Sequence, residues 1–239
     1  MTRAKRLEGR IALVTGASRG IGAAVARRFA AEGAELVLVA RTVGGLEEVD
    51  DQVQKLGGHA VLVPLDLKEG EGIDRLGPAL AERYGRLDVF VGNAGMLGGL
   101  RPVGHYTPAM WEETFRVNLH ANWRLLRTLD PLLRRSEAAR VIFVTSRITT
   151  SFRPYWAPYA ASKAALEALA KVYANEMKQS RVKINLIDPP ATATRMRAEA
   201  YPGEAPETLP KPDAITETFV RLAEAACLST GERFEAEPG

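Results

Sequence analysis

The 239-residue chain is 46% hydrophobic and carries a formal net charge of +3, a composition that suits one globular domain with a sizeable core. Its 32 lysines and arginines are interspersed with 29 acidic residues, which argues against a nucleic-acid-binding surface. No run approaches the ~20 apolar residues of a membrane span and the single cysteine cannot form an internal disulfide, so we expect a cytoplasmic protein with neither a membrane nor a nucleic-acid partner.

The first predicted element is a buried strand that leads through a glycine-rich turn into a helix. The apolar run Arg10 to Thr15 precedes Gly16-Ala-Ser-Arg-Gly-Ile-Gly22, and a helical pattern follows from Ala23 to Glu32. Glycines in this context permit a tight turn and let a pyrophosphate approach the amides at a helix N-terminus. The GxxxGxG spacing therefore predicts a dinucleotide site, although glycines also mark ordinary turns.

The second predicted strand, Leu36 to Ala40, ends where such folds choose between the two nicotinamide cofactors. An acidic residue there would bond the ribose 2′-hydroxyl, whereas an arginine accepts the 2′-phosphate. Arg41 follows the strand, Glu35 lies at its other end, and Arg19 in the glycine turn offers a second guanidinium group. This pair favours NADP(H) and leaves NAD(H) as the alternative, in which both arginines are only solvated surface residues.

Short apolar runs alternate with amphipathic stretches along the rest of the chain. Further strands are predicted at residues 60–65, 87–92, 140–145 and 182–188, with helical patterns between them. The alternation predicts an α/β protein, a single-domain Rossmann fold over residues 1–239 with a doubly wound parallel β-sheet and helices on both faces. Ligands bind such folds at the carboxyl ends of the strands, where the candidate site residues fall.

The run Tyr159-Ala-Ala-Ser-Lys163 places a phenol and an ammonium group four residues apart in a predicted helix. That spacing puts both side chains on one face, one turn apart. A free tyrosine has a pKa near ~10, so it is a poor acid or base at neutral pH unless a positive charge stabilises the phenolate. Lys163 can supply that charge, although the same spacing also occurs by chance on many helices.

Together these motifs resemble the short-chain dehydrogenase/reductase family, in its compact single-domain branch. The resemblance covers about residues 7–194 and rests on Thr15 to Gly22, Asp66-Leu67, Asn93-Ala-Gly95, Asn118, Ser146 and Tyr159 to Lys163. The stretches Asn93 to Gly98 and Thr194 to Arg197 are also similar to a bacterial subgroup without an assigned substrate. The resemblance implies hydride transfer between a nicotinamide cofactor and a small carbonyl or alcohol substrate.

The resemblance also implies the roles of four catalytic residues, Asn118, Ser146, Tyr159 and Lys163. Tyr159 would exchange a proton with the substrate oxygen, and Ser146 would stabilise the developing oxyanion. Lys163 would lower the phenol pKa and bind the nicotinamide ribose. The main-chain carbonyl of Asn118, at a local kink, would hold a water that links Lys163 to solvent.

The cofactor-binding residues implied by the resemblance are spread over several strand ends. Asp66 would lie near the adenine ring, or else only cap the next turn, and Asn93 would lie beside the adenosine ribose. Thr192 and Thr194 would hold the nicotinamide carboxamide. The complete set is Gly16, Ser18, Arg19, Gly20, Ile21, Gly22, Arg41, Asp66, Leu67, Asn93, Ala94, Gly95, Tyr159, Lys163, Pro189, Thr192 and Thr194, with no metal ligand.

Three residues depart from the family pattern. Gly92 replaces the asparagine that usually precedes Asn93, which removes one side-chain hydrogen bond, and Asp188 stands where asparagine is usual. Pro190 replaces a glycine, so it fixes φ and removes an amide donor in the loop after the sixth strand. These departures keep open an alternative function, a catalytically weak nucleotide-binding regulatory or scaffold protein on the same fold.

The segment 191–212 is rich in Pro, Thr and Glu, and it predicts a long mobile loop that closes over the substrate as a lid. The other residues predicted to line the substrate cleft are Met96, Leu97, His105, Tyr106, Arg147, Phe152, Tyr155 and Trp156. Arg147 suits an acidic substrate, with a plain surface arginine as the alternative.

The predicted helix from Ala157 to Lys178 displays more small apolar residues, such as Ala164 and Ala168, than one sheet face would cover. Small residues allow close approach of a second helix, and the family pairs this helix with its symmetry mate. We therefore expect a homodimer or a homotetramer of two-fold symmetry, unless the alanines only reflect good helix propensity.

Overall fold

The computed structural model describes residues 5–238, so residues 1–4 and Gly239 of the predicted domain lie outside the described residues. Within residues 5–238, seven strands form one parallel sheet in the order β3-β2-β1-β4-β5-β6-β7. They are β1 (Ile11–Thr15), β2 (Glu35–Ala40), β3 (Ala60–Pro64), β4 (Val89–Gly92), β5 (Arg140–Val144), β6 (Lys183–Asp188) and β7 (Arg233–Glu235). The strand order reverses between β1 and β4, the crossover beside which doubly wound folds bind nucleotides.

Helices cover both faces of the sheet. They are α1 (Gly20–Ala31), α2 (Val43–Lys55), α3 (Gly70–Tyr84), α4 (Pro108–Phe115), α5 (Ala121–Arg135), α6 (Ile148–Ser151), α7 (Ala157–Glu176), α8 (Arg195–Ala200) and α9 (Glu217–Ala223). Helices α1, α2 and α9 pack on one face, and α3, α5 and α7 pack on the other. The predicted doubly wound α/β fold is confirmed.

The two cores explain why the strands appear in the sequence as unbroken apolar runs. In β1, Ala12 and Val14 face the core formed with α1 and α2, whereas Ile11 and Leu13 face the core formed with α3, α5 and α7. Alternate side chains of a strand point to opposite faces, so burial on both faces requires apolar residues at successive positions.

The structure differs from the sequence-based expectation in the segment 191–212. In place of a long irregular loop, this segment contains α8 and a 3₁₀ turn at Pro206–Thr208. The Thr194 hydroxyl caps α8 by accepting a hydrogen bond from the Arg197 amide, and the Ala193 amide donates to the Pro210 carbonyl. These local bonds fold the segment back on itself.

Strand β7 was not predicted either. It has three residues, two of them charged, and it pairs with β6 through the register Leu186↔Arg233, Ile187↔Phe234 and Asp188↔Glu235.

Among residues 5–238, no helix is long and apolar enough to cross a membrane.

Candidate active site

A cavity of about 1160 Å³ opens at the carboxyl ends of the central strands. Its walls contain every predicted site residue except Gly22 and Asn118. The structure therefore brings together groups that are separated by more than 170 positions in the chain, from Gly16 to Thr194. In the part of the chain that is described, no group of three or more His, Cys, Asp or Glu side chains is arranged to hold a metal ion.

The glycine turn between β1 and α1 is tighter than any side chain would allow. Gly16 has a φ of +65°, and a Cβ atom on Gly22 would lie 2.3 Å from the Gly16 carbonyl oxygen. The turn delivers Gly20 and Ile21, at the start of α1, to the cavity wall. Amides of a first helical turn have no partner within the helix, so this end of the cavity fits an anionic phosphate group.

Asn93 joins the ends of β1 and β4 beside this turn. Its side-chain amide donates to the Thr15 carbonyl at 2.8 Å, and the Thr15 hydroxyl accepts from the Asn93 and Ala94 amides at 3.0 and 3.1 Å. Asp66 also lines the cavity, and its carboxylate accepts from the Lys68 amide at 2.9 Å. The turn-capping alternative for Asp66 is thus realised, without removing its side chain from the cavity wall.

Two arginines lie where a 2′-phosphate would be recognised. Arg19 and Arg41 are exposed and line the same cavity, whereas Glu35 lies exposed at the opposite end of β2. This end of the cavity is therefore cationic and has no acidic residue at the end of β2.

Tyr159 and Lys163 lie one turn apart on α7, and both are buried, with 8% and 2% of their surface exposed. The Lys163 Nζ atom donates to the Val144 carbonyl at 2.6 Å and lies 5.9 Å from the centre of the Tyr159 ring. Ser146 follows the end of β5 and lines the cavity beside them. The three side chains thus converge from two elements on one wall.

Burial controls the proton affinity of this pair. It raises the pKa of Tyr159 to about 12, an effect that Ser146 partly offsets by hydrogen bonding and that the charge of Asp188 reinforces. Burial also lowers the pKa of Lys163 to about 8, against the opposing charge of Glu167. The net shift of the Tyr159 pKa is opposite to the one predicted from the pair, because desolvation of the phenolate is the largest influence on it.

Asn118 lies behind the cavity, in a π-helical turn at Arg116–His120 between α4 and α5. Its buried side chain accepts from the Met96 amide at 2.8 Å and donates to the Ser162 hydroxyl at 3.0 Å, and Ser162 donates to the Tyr159 carbonyl. The side chain therefore fixes α7 relative to the wall of the cavity, while its carbonyl accepts from the Asn122 side chain at 2.9 Å. The local irregularity expected at Asn118 takes the form of this π-helical turn.

The structure supplies a reason for Gly92. A Cβ atom there would lie 2.5 Å from the Phe143 ring and 2.6 Å from the Asn122 amide oxygen. The space next to the backbone of Gly92 is therefore filled by two neighbouring side chains. One of them, Asn122, donates its side-chain amide to the Asn118 carbonyl.

The loop after β6 keeps its predicted residues at the cavity despite Pro190. Pro189, Thr192 and Thr194 all line it, and the Thr192 hydroxyl donates to the Pro190 carbonyl at 2.8 Å. Asp188, at the end of β6, pairs with Arg233 of β7 at 2.7 Å. Neither departure displaces the loop from the cavity wall.

The predicted substrate cleft is partly wrong. Met96, Leu97, Arg147 and Trp156 line the cavity, but His105, Tyr106, Phe152 and Tyr155 do not. Phe152 and Tyr155 are 75% and 57% exposed, and the Tyr106 hydroxyl instead bonds the Tyr155 carbonyl, which joins two rim loops. Arg153, which was not predicted, also lines the cavity, together with Met196, Arg197 and Tyr201 of the predicted segment 191–212.

Arg153 reaches segment 191–212 through a tertiary contact, so no local sequence pattern indicated it. The Arg153 guanidinium donates to the Tyr201 hydroxyl at 2.6 Å, and the Arg197 guanidinium lies 3.8 Å from the centre of the Tyr201 ring. Arg197 also pairs with Glu204. For Met196 and Arg197, the sequence signal is their position directly after Thr194, the residue that caps α8.

The chain is similar to known proteins along nearly its whole length. The family described as short chain dehydrogenase matches residues 10–205, from β1 through α8. The uncharacterized oxidoreductase YciK of Escherichia coli K12 is 37% identical over 237 residues, covering 98% of this chain and 94% of that protein.

Two solved structures are similarly extensive matches. A short chain dehydrogenase from Pseudomonas syringae has a TM-score of 0.95 at 36% identity and covers 99% of this chain and 98% of its own. Another, from Escherichia coli CFT073 in complex with NADPH, has a TM-score of 0.92 at 36% identity, with 99% of this chain and 100% of its own covered.

Proposed function

The chain belongs to the short-chain dehydrogenase family and is an oxidoreductase of that family, and from this premise we propose that it transfers hydride between NADP(H) and a small carbonyl or alcohol substrate. The observation that carries the proposal is the convergence of Ser146, Tyr159 and Lys163 on the cavity that also contains the glycine turn. The NADPH found in a similar structure supports the choice of cofactor.

The residues of the cavity fit this cofactor from end to end. The glycine turn suits the pyrophosphate, Arg19 and Arg41 suit the 2′-phosphate, and Asp66 with Leu67 suits the adenine. Thr192 and Thr194 would hold the nicotinamide carboxamide. When bound, the cofactor supplies the hydride, and the protein supplies orientation and proton transfer.

In the reductive direction, Tyr159 donates its proton to the substrate oxygen. With its pKa raised to about 12, the phenol is fully protonated at neutral pH and is ready to act as the acid. The Ser146 hydroxyl donates a hydrogen bond to the same oxygen and stabilises its developing charge. Lys163 bonds the ribose and, through the turn that contains Asn118, connects the phenol to solvent. In the oxidative direction, Tyr159 takes the proton back.

A substrate panel tests this function directly. Carbonyl compounds with NADPH and alcohols with NADP⁺ are followed at the NADPH absorbance band, with NADH and NAD⁺ in parallel and Tyr159→Phe as the inactive control. Turnover that depends on Tyr159 supports the proposal. Tight NADPH binding without turnover of any substrate would favour a regulatory or scaffold protein on this fold.

Arg41→Ala is expected to weaken NADPH binding far more than NADH binding. A charge-assisted contact contributes about 1.5 to 3 kcal/mol, so the loss for NADPH should be roughly ten-fold to a hundred-fold. Fluorescence titration of both cofactors measures it. Arg75→Ala is the matched control, since Arg75 is an exposed arginine on α3 away from the cavity. Equal losses for the two cofactors in Arg41→Ala would refute the assignment.

We also propose that segment 191–212 covers the substrate. Met196 and Arg197 of α8 line the cavity together with Tyr201, which follows the helix, and Arg153 of the opposite rim bonds Tyr201. The segment thus already touches the other side of the opening.

A symmetric homodimer or homotetramer is the expected assembly. Ala164 and Ala168 of α7 are exposed, and two larger apolar residues, Val172 of α7 and Trp123 of α5, are 55% and 47% exposed. Burying such residues favours association, and small residues allow helices to approach closely. Light scattering should give a multiple of 26.0 kDa, and Ala168→Arg should reduce it. A wild-type mass of 26.0 kDa at micromolar concentration contradicts the expectation.

A further inference from the structure

Arg233, on the short edge strand β7, reaches three elements of the active-site wall. One terminal nitrogen of its guanidinium group lies 2.7 Å from the carboxylate of Asp188 at the end of β6, and the second terminal nitrogen lies 3.0 Å from the carboxylate of Glu167 on α7. The second nitrogen also donates to the Thr149 hydroxyl on α6 at 2.9 Å. A single side chain therefore ties α7, the end of β6 and the turn after β5 together.

Each contact lies close in sequence to a residue that would act in the reaction. Glu167 follows Lys163 by one helical turn, so the two share a face of α7. Thr145 and Thr149 flank Ser146, and both hydroxyls donate to the same Glu167 oxygen, at 2.5 and 2.9 Å.

The contact with Asp188 connects Arg233 to the loop after β6, because Asp188 immediately precedes Pro189 of the cavity wall. A displacement of Arg233 would reach the Ser146 turn, the catalytic helix and this loop at once.

Arg233 supplies the positive charge that is in direct contact with both carboxylates of this cluster. The carboxylate of Asp188 is 2% exposed and that of Glu167 is 14% exposed, and Arg233 itself is 24% exposed. Arg147, the next cation, is 62% exposed, lies 4.0 Å from Asp188 and is shared with Glu235 of β7, so solvent screens it.

The two carboxylates also differ in their other partners. Glu167 retains two hydroxyl donors, whereas one oxygen of Asp188 is buried without any hydrogen-bond partner among residues 5–238. A buried carboxylate left unpaired is strongly unfavourable. Asp188 is therefore the group that depends most on Arg233.

We propose that Arg233 is a positioning residue for the reaction, which holds the three catalytic segments in register and offsets the negative charge of Asp188 beside Tyr159. This inference rests on the proposed hydride-transfer function.

The proposal predicts the direction in which the pKa values of Tyr159 and Lys163 change when Arg233 is lost. The charge of Asp188 raises the pKa of Tyr159, and the charge of Glu167 raises that of Lys163. Loss of Arg233 leaves both negative charges uncompensated, so the raised pKa of Tyr159 rises further and the pKa of Lys163 rises from its lowered value. Alcohol oxidation needs the Tyr159 phenolate. The rate of alcohol oxidation should therefore begin to increase at a higher pH when Arg233 is lost.

Arg233→Met keeps most of the side-chain length and removes the charge. We expect a lower kcat for alcohol oxidation, an unchanged KM for NADP⁺, and a rising limb of the pH–rate profile that is displaced to higher pH. Arg233→Lys should restore part of the displacement. Adding Asp188→Asn to Arg233→Met should return the limb towards its wild-type position, because it removes the charge that Arg233 offsets.

Arg221→Met is the matched control. Arg221 is an exposed arginine of α9 that lies 5.5 Å from the ring centre of Phe234 on the same edge strand, and its replacement should leave the pH profile unchanged. A slower Arg233→Met enzyme with an unmoved profile and no recovery in the double variant would overturn the proposal and reduce Arg233 to a structural contact.

Thermal unfolding supplies a readout that does not need turnover. Arg233→Met should lower the unfolding temperature, and the double variant should recover part of the loss. If the wild-type protein turns over no substrate, the proposed function fails, and the charge-offset role is then decided by this recovery alone. Equal unfolding temperatures for the single and double variants would contradict that role.

Discussion

Tyr159→Phe is expected to reduce turnover by about 10²- to 10⁴-fold while leaving NADPH affinity unchanged. The substitution removes the hydroxyl that exchanges a proton with the substrate and keeps the ring, whose edge packs against Trp156 with centroids 5.8 Å apart. The glycine turn and Arg41 lie elsewhere in the cavity and are not altered. Steady-state kinetics on the best substrate of the panel, with a fluorescence titration of NADPH, measures both quantities.

Tyr173→Phe provides a matched control on the same helix. Tyr173 is also buried, and its hydroxyl donates to Asp130 at 2.7 Å instead of facing the cavity. Its loss should lower stability through one buried hydrogen bond and leave turnover intact. Wild-type rates in Tyr159→Phe would refute the proton-transfer mechanism.

Lys163→Met should impair both turnover and NADPH binding. The buried ammonium would serve the proton relay and bond the ribose, so we expect a loss of NADPH affinity of roughly ten-fold to a hundred-fold and a still larger loss of rate. An unchanged NADPH affinity would show that Lys163 does not bind the ribose. The same titration and kinetics as for Tyr159 decide it.

The pH dependence of carbonyl reduction provides a second readout for Lys163. Burial lowers its pKa to about 8, so the side chain is charged below that pH and loses its proton as pH rises through it. Because the charged form acts in the reaction, the reductive kcat/KM should fall above about pH 8. Lys163→Arg stays charged over this range and should lack the fall. A fall that persists in Lys163→Arg would belong to another group.

The core of the fold could be predicted because its signals are local. Strands buried on both faces are unbroken apolar runs, and the predicted Ala60 to Leu65 and Arg140 to Thr145 differ from β3 and β5 by one residue each. The spacing of Tyr159 and Lys163 predicts that they share one helix face, and the other motifs of the chain indicate their catalytic role. The lining of the cavity then follows from topology, since parallel strands bring their carboxyl ends to one edge.

The features of the fold and of the site that could not be predicted depend on contacts between segments that are distant in sequence. Strand β7 has no apolar run and exists through its pairing with β6, so neither it nor the partners of Arg233 could be predicted from local sequence. Likewise, the space beside Gly92 is taken by Asn122, thirty positions away. The direction of the Tyr159 pKa shift required knowledge of how deeply α7 is buried.

The two edges of the sheet bear on the solubility of the folded protein. Exposed strand edges offer free amides and carbonyls that can recruit another chain, and this leads to aggregation. One edge, β3, ends at the exposed Pro64, which has no amide to donate. The other edge, β7, is only three residues long and carries Arg233 and Glu235. Both edges therefore discourage β-sheet extension from one molecule to the next, and contacts between copies are left to the helical faces.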